Sequence, residues 1–328
     1  MPAKSNRSFH RSASLKLALP ATSANLGPAF DTAALALGLF LKIRAHISEE
    51  FSIAARGRDA DLCAQLENHL ILTTYSEILQ RESKRIQPLA LHIENEIPIG
   101  KGCGSSAAAR LAGIALAVHF GALRWDDARI VGEASWREHH PDNAAACWYG
   151  GLAIARMSRE AEAQVAMIVP KGKWPLLLAV PDDALSTEQS RRVFPEQYSR
   201  ADAVVNIQNS MLLLAAFVQG RRDLLASSLE DRIHQPYRAP LCPLLPALQE
   251  LTGQTGILGS ALSGAGPSML IFLDSNSHVD RIITKIHAHL HNRGLSAELI
   301  PAEITHKGAR EIRGWKVNPR ADAAAPHC

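Results

Sequence analysis

The stretch GKGCGSSAA, residues 100–108, constrains this chain more than any other, because it sets three glycines and two serines between segments of opposite periodicity. Before it, Leu89, Leu91, Ile93 and Ile97 recur at period two, which predicts a strand over 89–97. After it, Ala108, Leu111, Ala112, Ala115 and Val118 recur at helical spacing. The motif is therefore a strand, a glycine loop and a helix N-terminus, where unpaired backbone N–H groups and the positive end of the helix dipole favour an anion. On this reading Gly102 and Gly104 remove side chains that would hold a phosphate away.

Several phosphate loops have this general form, and spacing separates them. A Walker loop, G-x-x-x-x-G-K-[ST], is absent. A dinucleotide fingerprint is formally present in Gly102, Gly104 and Ala107, with Asp126 and Asp127 about twenty residues on, but those acids follow a helix rather than a second strand. A plainer alternative is that the glycines only turn a strand into a packed helix, with one serine as a cap.

Composition removes other function classes. The chain has 328 residues, 47% of them hydrophobic, enough for more than one core, so two domains are expected. A net charge of +3, with no Lys/Arg block interleaved with aromatics, argues against nucleic acid. Cys63, Cys103, Cys147, Cys242 and Cys328 are scattered without zinc spacing, which fits a reducing cytoplasm. The apolar stretches 107–118 and 211–218 are short or interrupted by Arg110, so no membrane span is expected. The seam VPKGKWP, 169–175, divides the chain into units 15–170 and 171–317. Tails 1–14 and 318–328 are read as disordered, the first being basic and serine-rich without an apolar leader core. Strands are predicted at LKLALP, through Leu35 to Ile43, at PLLLAVP and at SMLIFL, and helices over 68–80, 203–217 and 279–289.

PIGKGCGSSAA, residues 98–108, resembles the P-x-x-x-G-L-G-S-S-A phosphate loop of the GHMP kinases, a superfamily of small-molecule kinases. LSGAGPSM (262–269) is similar to the glycine-rich third motif of the superfamily, and LPATSANLGPAFD (19–31), EHHPDN (138–143), STEQSRRVFP (186–195) and DRIHQPYR (231–238) are similar to the motifs of its homoserine kinase family, all in the same order. The resemblance spans residues 15 to 300. It implies an α+β chain with the two-domain GHMP kinase fold, an N-terminal ribosomal S5 domain 2-like domain and a C-terminal α+β domain with the active site between them. It also implies transfer of the ATP γ-phosphoryl group to the hydroxyl of L-homoserine.

The same resemblance implies residue roles. Pro98, Gly100, Lys101, Gly102, Cys103, Gly104, Ser105 and Ser106, with Asn68, would hold ATP, and the Lys101 side chain is expected in solvent. Ser106 and Glu138 would ligate Mg²⁺, hard oxygens suiting a hard cation, with Glu133 the alternative carboxylate. Arg191 and Arg238 would grip the acceptor carboxylate, while Asn25, Asp31 and His140 would surround its amino group and hydroxyl. Thr187 shares a helix face with Arg191, and Pro236 is read as breaking the DRIHQ helix and turning Arg238 inward. Asn143 stands where mevalonate kinase and galactokinase carry a catalytic aspartate. An amide accepts no proton, and Asp142 is expected to point elsewhere, so a mechanism without a dedicated base is expected. Ala29, Lys101, Cys103 and His139 depart from the family pattern, Ala29 replacing a glycine where a positive φ is expected. A sister kinase for another alcohol and a non-catalytic ligand-binding relative are the alternatives, and a homodimer is expected.

Overall fold

The computed structural model describes residues 14–254 and 256–309. Strands β1 (Ser14–Asn25) and β2 (Ala29–Ile47) form a long hairpin, with β1 starting at the last residue assigned to the N-terminal tail. β2 is long enough to serve two partners on its other edge. Its later half pairs β4 (Leu89–Asn95), from Leu41↔Asn95 to Ile47↔Leu89, and its earlier half pairs β5 (Leu152–Arg159) at residues 33–35. β3 (Ser52–Gly57) runs parallel to β4, and β6 (Glu162–Ile168) closes the sheet beside β5. The order is β3-β4-β2-β5-β6, with β1 paired to β2.

Helices α1 (Ala60–Cys63) and α2 (Leu70–Arg81) lead into β4, and the glycine loop after it opens α3 (Ser105–Phe120). Next come α4 (Asp127–Glu138), then α5 (Asp142–Tyr149), which packs against β1, β2 and β5. Asp126 caps α4 by accepting from the Arg129 N–H at 2.8 Å, and Asp127 accepts from the Trp148 indole at 3.0 Å. Both acids are thus engaged in helix structure, and the dinucleotide fingerprint has no ribose ligand there.

The second sheet is antiparallel, in the order β10-β7-β9-β8, from β7 (Leu176–Val180), β8 (Ile257–Leu262), β9 (Met269–Leu273) and β10 (Glu298–Ala302). Every residue of β7 and β9 is buried, and strand alternation divides them between two cores. Leu177, Ala179, Ile271 and Leu273 join Leu244, Leu245 and Leu248 of α10 (Leu244–Gln249) and Ile282, Ile286 and Leu290 of α11 (Val279–His291). Leu176, Leu178, Leu270 and Phe272 instead face the core of the first sheet. The seam at 169–175 lies between β6 and β7, yet the segment after β10, assigned with the second unit, returns to the first: Thr305 donates to the Ala36 carbonyl, and Ala309 to that of Cys147, both at 3.0 Å. The C-terminal tail expected at 318–328 lies outside the described residues.

Between β7 and β8 the chain also forms α6 (Thr187–Arg191), α7 (Arg200–Gln219), α8 (Leu225–Ser228) and α9 (Gln235–Arg238). α7 corrects one expectation. It is long and apolar enough to cross a bilayer, a property hidden in the sequence because Asn206, Gln208 and Asn209 interrupt its apolar runs. Its Leu213, Ala216 and Phe217 are nonetheless buried.

Candidate active site

The bareness of the glycine loop has a packing cause as well as the phosphate cause expected. A Cβ on Gly104 would lie 1.9 Å from the Thr22 hydroxyl, and one on Gly102 would lie 2.3 Å from the Ser263 carbonyl oxygen. These glycines let the first and third motifs press onto the loop, and backbone bonds lock the three together. Thr22 N–H donates to the Cys103 carbonyl at 3.0 Å, Gly264 N–H to Ala24 at 3.0 Å, and Ser268 N–H to Lys101 at 3.2 Å. Gly104 is the left-handed N-cap of α3 and offers no side-chain cap, so the first-turn N–H groups of α3 face the cleft without one.

Two oxygen donors meet beside that helix start. Ser106 Oγ donates to Glu138 Oε1 at 2.7 Å, and Arg110 Nε donates to the same oxygen at 2.5 Å. Glu133, the alternative carboxylate, is engaged in full: Arg81 holds both its oxygens and Arg137 one of them, at 2.8–3.0 Å. Burial pushes Glu133 up, but the two guanidinium groups outweigh it and hold its pKa below the ordinary value. Glu138 is therefore the carboxylate that reaches the loop. Ser106 and Glu138 offer hard oxygens that fit Mg²⁺.

At the other end of the cleft, Arg191 grips Asp31 through two hydrogen bonds of 2.7 and 3.0 Å. Asp31 adopts a positive φ of 51°, and Asn25 braces it by accepting its N–H at 2.9 Å while donating to the Gly264 carbonyl at 2.7 Å. Positive φ falls at Asn25, Leu26, Gly27 and Asp31, not at Ala29, so the alanine costs the loop nothing. His139 does adopt a positive φ, ending α4. Arg238 is 1% exposed, its guanidinium carbon 5.3 Å from the Phe30 ring and 4.8 Å from that of Phe194. Burial, with the charge of Arg191 second, lowers its pKa to about 10, so it remains a cation at neutral pH. Pro236 opens α9 rather than breaking a helix, since an N-terminal position needs no N–H, and the preceding turn is built on Asp231.

Asp142 is the residue that the sequence reading misplaced. Its Oδ1 accepts from the Asn143 N–H at 2.6 Å and lies 2.7 Å from His140 Nδ1, while its Oδ2 is buried without a partner. It forms part of the cleft wall, with Asp31 and His140 nearby. Burial lowers the His140 pKa, but the bond to Asp142, with the charges of Asp31 and Glu138, raises it above the ordinary value. Asn143 spends its carbonyl oxygen on the Thr22 hydroxyl, 2.6 Å away, and its amide nitrogen donates to Asp142 Oδ1 at 3.4 Å, which leaves one amide N–H as its remaining function.

The cleft thus brings together Asn25, Asp31, Gly100, Gly102, Gly104, Ser105, Ser106, Glu138, His140, Asn143, Thr187, Arg191 and Arg238. Four expected residues stand outside its lining. Pro98 is buried at the end of the β4 segment, and Asn68 sits on an exposed turn before α2. Lys101 bonds to the Asp182 carbonyl, so its side chain ties the loop to the second unit instead of entering solvent or touching phosphate. The Cys103 side chain points into the core, where burial pushes its thiol up to about 12. Gly264, Ala265 and Gly266 join the cleft unforeseen, although their motif had been recognised, because only close packing shows that it lines the site. A larger hollow of about 390 Å³ between α7 and β2 is mostly apolar, and its Asn206 and Ser210 are engaged with the Pro28 carbonyl.

Comparison with known proteins bears on this geometry. Residues 60–151 match the family model for the GHMP kinases N terminal domain, and residues 213–292 that for the GHMP kinases C terminal domain. The chain is 42% identical to the homoserine kinase of Solibacter usitatus over 270 residues, 82% of this chain and 86% of that protein. It is 34% identical to the homoserine kinase of Deinococcus radiodurans over 289 residues, 88% and 94% of the two. Among solved structures, the homoserine kinase from Cytophaga hutchinsonii superposes with a TM-score of 0.75 at 22% identity, over 94% of this chain and 98% of that one. The mevalonate kinase of L. major, solved with R-mevalonate, gives 0.65 at 13% identity, over 88% and 95%. At such identities these two structures speak for the fold.

Proposed function

From the premise that the chain belongs to the homoserine kinase family of the GHMP kinases, we propose a role for each residue of the cleft. The protein is a homoserine kinase, transferring the γ-phosphoryl group of ATP to the side-chain hydroxyl of L-homoserine in threonine biosynthesis. Phosphoryl transfer asks little covalent help of a protein, so positioning and charge neutralisation carry the catalysis. The observation that carries the assignment is a single cleft holding a helix N-terminus and a Ser106–Glu138 oxygen pair at one end and Arg191, Arg238 and Asp31 at the other.

The triphosphate lies along residues 100–106 and the first turn of α3. Ser106 and Glu138 would hold Mg²⁺, which neutralises triphosphate charge when bound. The acceptor is a zwitterion, and the Arg191–Asp31 pair is its mirror image. Without substrate the two side chains neutralise each other; with it, Arg191 and Arg238 take the carboxylate, and Asp31, braced by Asn25, takes the ammonium. His140 and Thr187 border the hydroxyl. Asn143 can donate to an oxygen there but cannot take its proton. As the hydroxyl oxygen bonds to phosphorus and the bond to ADP breaks, the proton leaves through a phosphate oxygen or water. The four cysteines among the described residues are buried thiols, which supports a cytoplasmic setting. A homodimer is the proposed assembly, supported by the exposed Val204, Ile207, Met211 and Val218 of α7.

ADP release with Mg²⁺ tests this reading, comparing L-homoserine with mevalonate, galactose, L-serine and L-threonine. Strong release is expected with homoserine alone, and Arg191→Ala and Arg238→Ala should each weaken its apparent binding by ~2–5 kcal/mol, as loss of one partner of a desolvated charge pair does. Release with mevalonate or galactose, or truncations without effect on the homoserine KM, would overturn the residue roles.

A further inference from the structure

We infer that His234, which lies outside the cleft lining, is a positioning residue for the homoserine carboxylate, fixing the Arg238 guanidinium so that one edge of it is presented to the substrate. The inference rests on the reading that Arg238 binds that carboxylate.

The donors of Arg238 can be followed one by one. Nε donates to the Ser190 carbonyl at 3.2 Å, and Nη1 donates to His234 Nδ1 at 3.1 Å and to the Gly264 carbonyl at 3.2 Å. Nη2 has no acceptor among the described residues, nor is it among the sealed polar atoms without a partner, and Arg238 lines the cleft. Two N–H groups are thus left for a ligand. Phe30 and Phe194 set the plane of the guanidinium, but flat rings leave it free to turn within that plane. The three acceptors stop that turning. Of these, the Ser190 and Gly264 carbonyls belong to backbone, and His234 is the side chain.

His234 is suited to this work because its own orientation is fixed on all sides. Its relative exposure is 0%, and it stacks on Phe30 at 5.1 Å and 24°. Its Nε2 lies 2.8 Å from the Gly27 carbonyl. A carbonyl cannot donate and a guanidinium cannot accept, so Nε2 carries the proton and Nδ1 is the acceptor, which selects the neutral Nε2–H tautomer. Asp231 holds the backbone by accepting from the N–H groups of Ile233, His234 and Gln235 at 2.9, 2.8 and 2.5 Å. The charged groups facing the imidazole are Asp231, Arg238 and Asp31, and burial keeps its pKa low, at about 4, so Nδ1 stays an acceptor through the neutral range. Burial requires a partner for each ring nitrogen, and the partner of Nδ1 is the Arg238 guanidinium, so the bond that satisfies the histidine also fixes the arginine.

The two nitrogens can be tested separately. In His234→Asn the amide oxygen can stand near Nδ1 and accept from Arg238, whereas in His234→Gln the longer amide reaches the Gly27 carbonyl and leaves Arg238 without its acceptor. The assay compares both variants with L-homoserine and with homoserinol, whose carboxylate is reduced to an alcohol. For His234→Gln we expect the homoserine KM to rise roughly 10- to 100-fold, the ratio that one hydrogen bond to a charged group carries, with the ATP KM and kcat changed by less than about threefold. His234→Asn should keep the homoserine KM within about threefold of the parent, and neither variant should lose activity with homoserinol. Equal losses in the two variants, or an equal loss with homoserinol, would make His234 a merely structural residue and overturn the inference. Thermal melts of both variants accompany the kinetics; a common drop in Tm with the homoserine KM still split between them supports it. Arg238→Lys separates the two levels. If it leaves the homoserine KM unchanged, the carboxylate reading fails; if it raises KM while His234→Gln does not, only the role of His234 fails.

Discussion

Single residues here are fixed by what presses on them, and the phosphate loop shows the difference that makes. Gly100, Gly102 and Gly104 read alike in sequence, and all three have positive φ. A Cβ on Gly100 would meet only Ala184 at 3.7 Å, whereas one on Gly104 would overlap the Thr22 hydroxyl and break its bond to Asn143. Gly100→Ala should therefore cost about 1 kcal/mol, the backbone term alone, in urea unfolding. Gly104→Ala should cost upwards of about 3 kcal/mol, since clash adds to strain, and should raise the ATP KM. Equal costs would show that the loop is not held by that contact. The histidines give a second prediction, with opposite signs. His234 has a folded pKa depressed to about 4, so below its ordinary value near 6.5 the unfolded chain binds a proton that the folded chain refuses. That stability is present above pH 6.5 and is lost as pH falls toward 4, by as much as ~3 kcal/mol. His140, with a raised pKa, contributes at low pH and loses its contribution as pH rises through the folded value. Thermal melts from pH 7 to 4.5 should fall less steeply for His234→Asn than for the parent; identical slopes would contradict a neutral buried imidazole.

Elements obey their own periodicity until a neighbour intervenes. α3 was legible from its apolar spacing, and α11 from its 3.6-residue stripe, because each has a face to bury. What spacing could not show is how closely α2 and α3 approach. At Gly113, in the middle of α3, a Cβ would lie 2.5 Å from the Ile71 carbonyl oxygen and 2.7 Å from Thr74 Cβ. Helix propensity favours alanine over glycine in a helix interior by about 1 kcal/mol. The contact should win, and Gly113→Ala should lower stability by about 2 kcal/mol, because both neighbours are helix atoms that cannot yield separately. A stabilised variant would mean that α2 shifts freely on α3. The α9 turn teaches the same lesson. Local spacing makes Pro236 a stop signal, but Asp231 builds the turn before it, so the proline occupies the helix start.

The whole molecule is joined more deeply than a linear boundary suggests. Trp174, Leu176, Leu178, Phe217 and Phe272 complete the core of the first sheet, and the segment around Thr305 hydrogen-bonds to β2. A fragment of residues 15–170 should then lack a cooperative melting transition, while the intact chain should melt in one. Two well-separated transitions in the intact chain would refute a shared core. Much was determined by the sequence alone: local periodicity marked the strand, glycine loop and helix start, and the resemblance carried by six motifs in order pointed to the family and its reaction. Only the tertiary structure separates Glu133 from Glu138, for both are carboxylates of α4, but Arg81 and Arg137 claim the first while the second accepts from Ser106 of the loop. It alone turned Asp142 into the cleft, took the Lys101 and Cys103 side chains out of it, and set His234 behind Arg238. Those outcomes depend on which long-range neighbours arrive at a side chain, which local spacing does not encode.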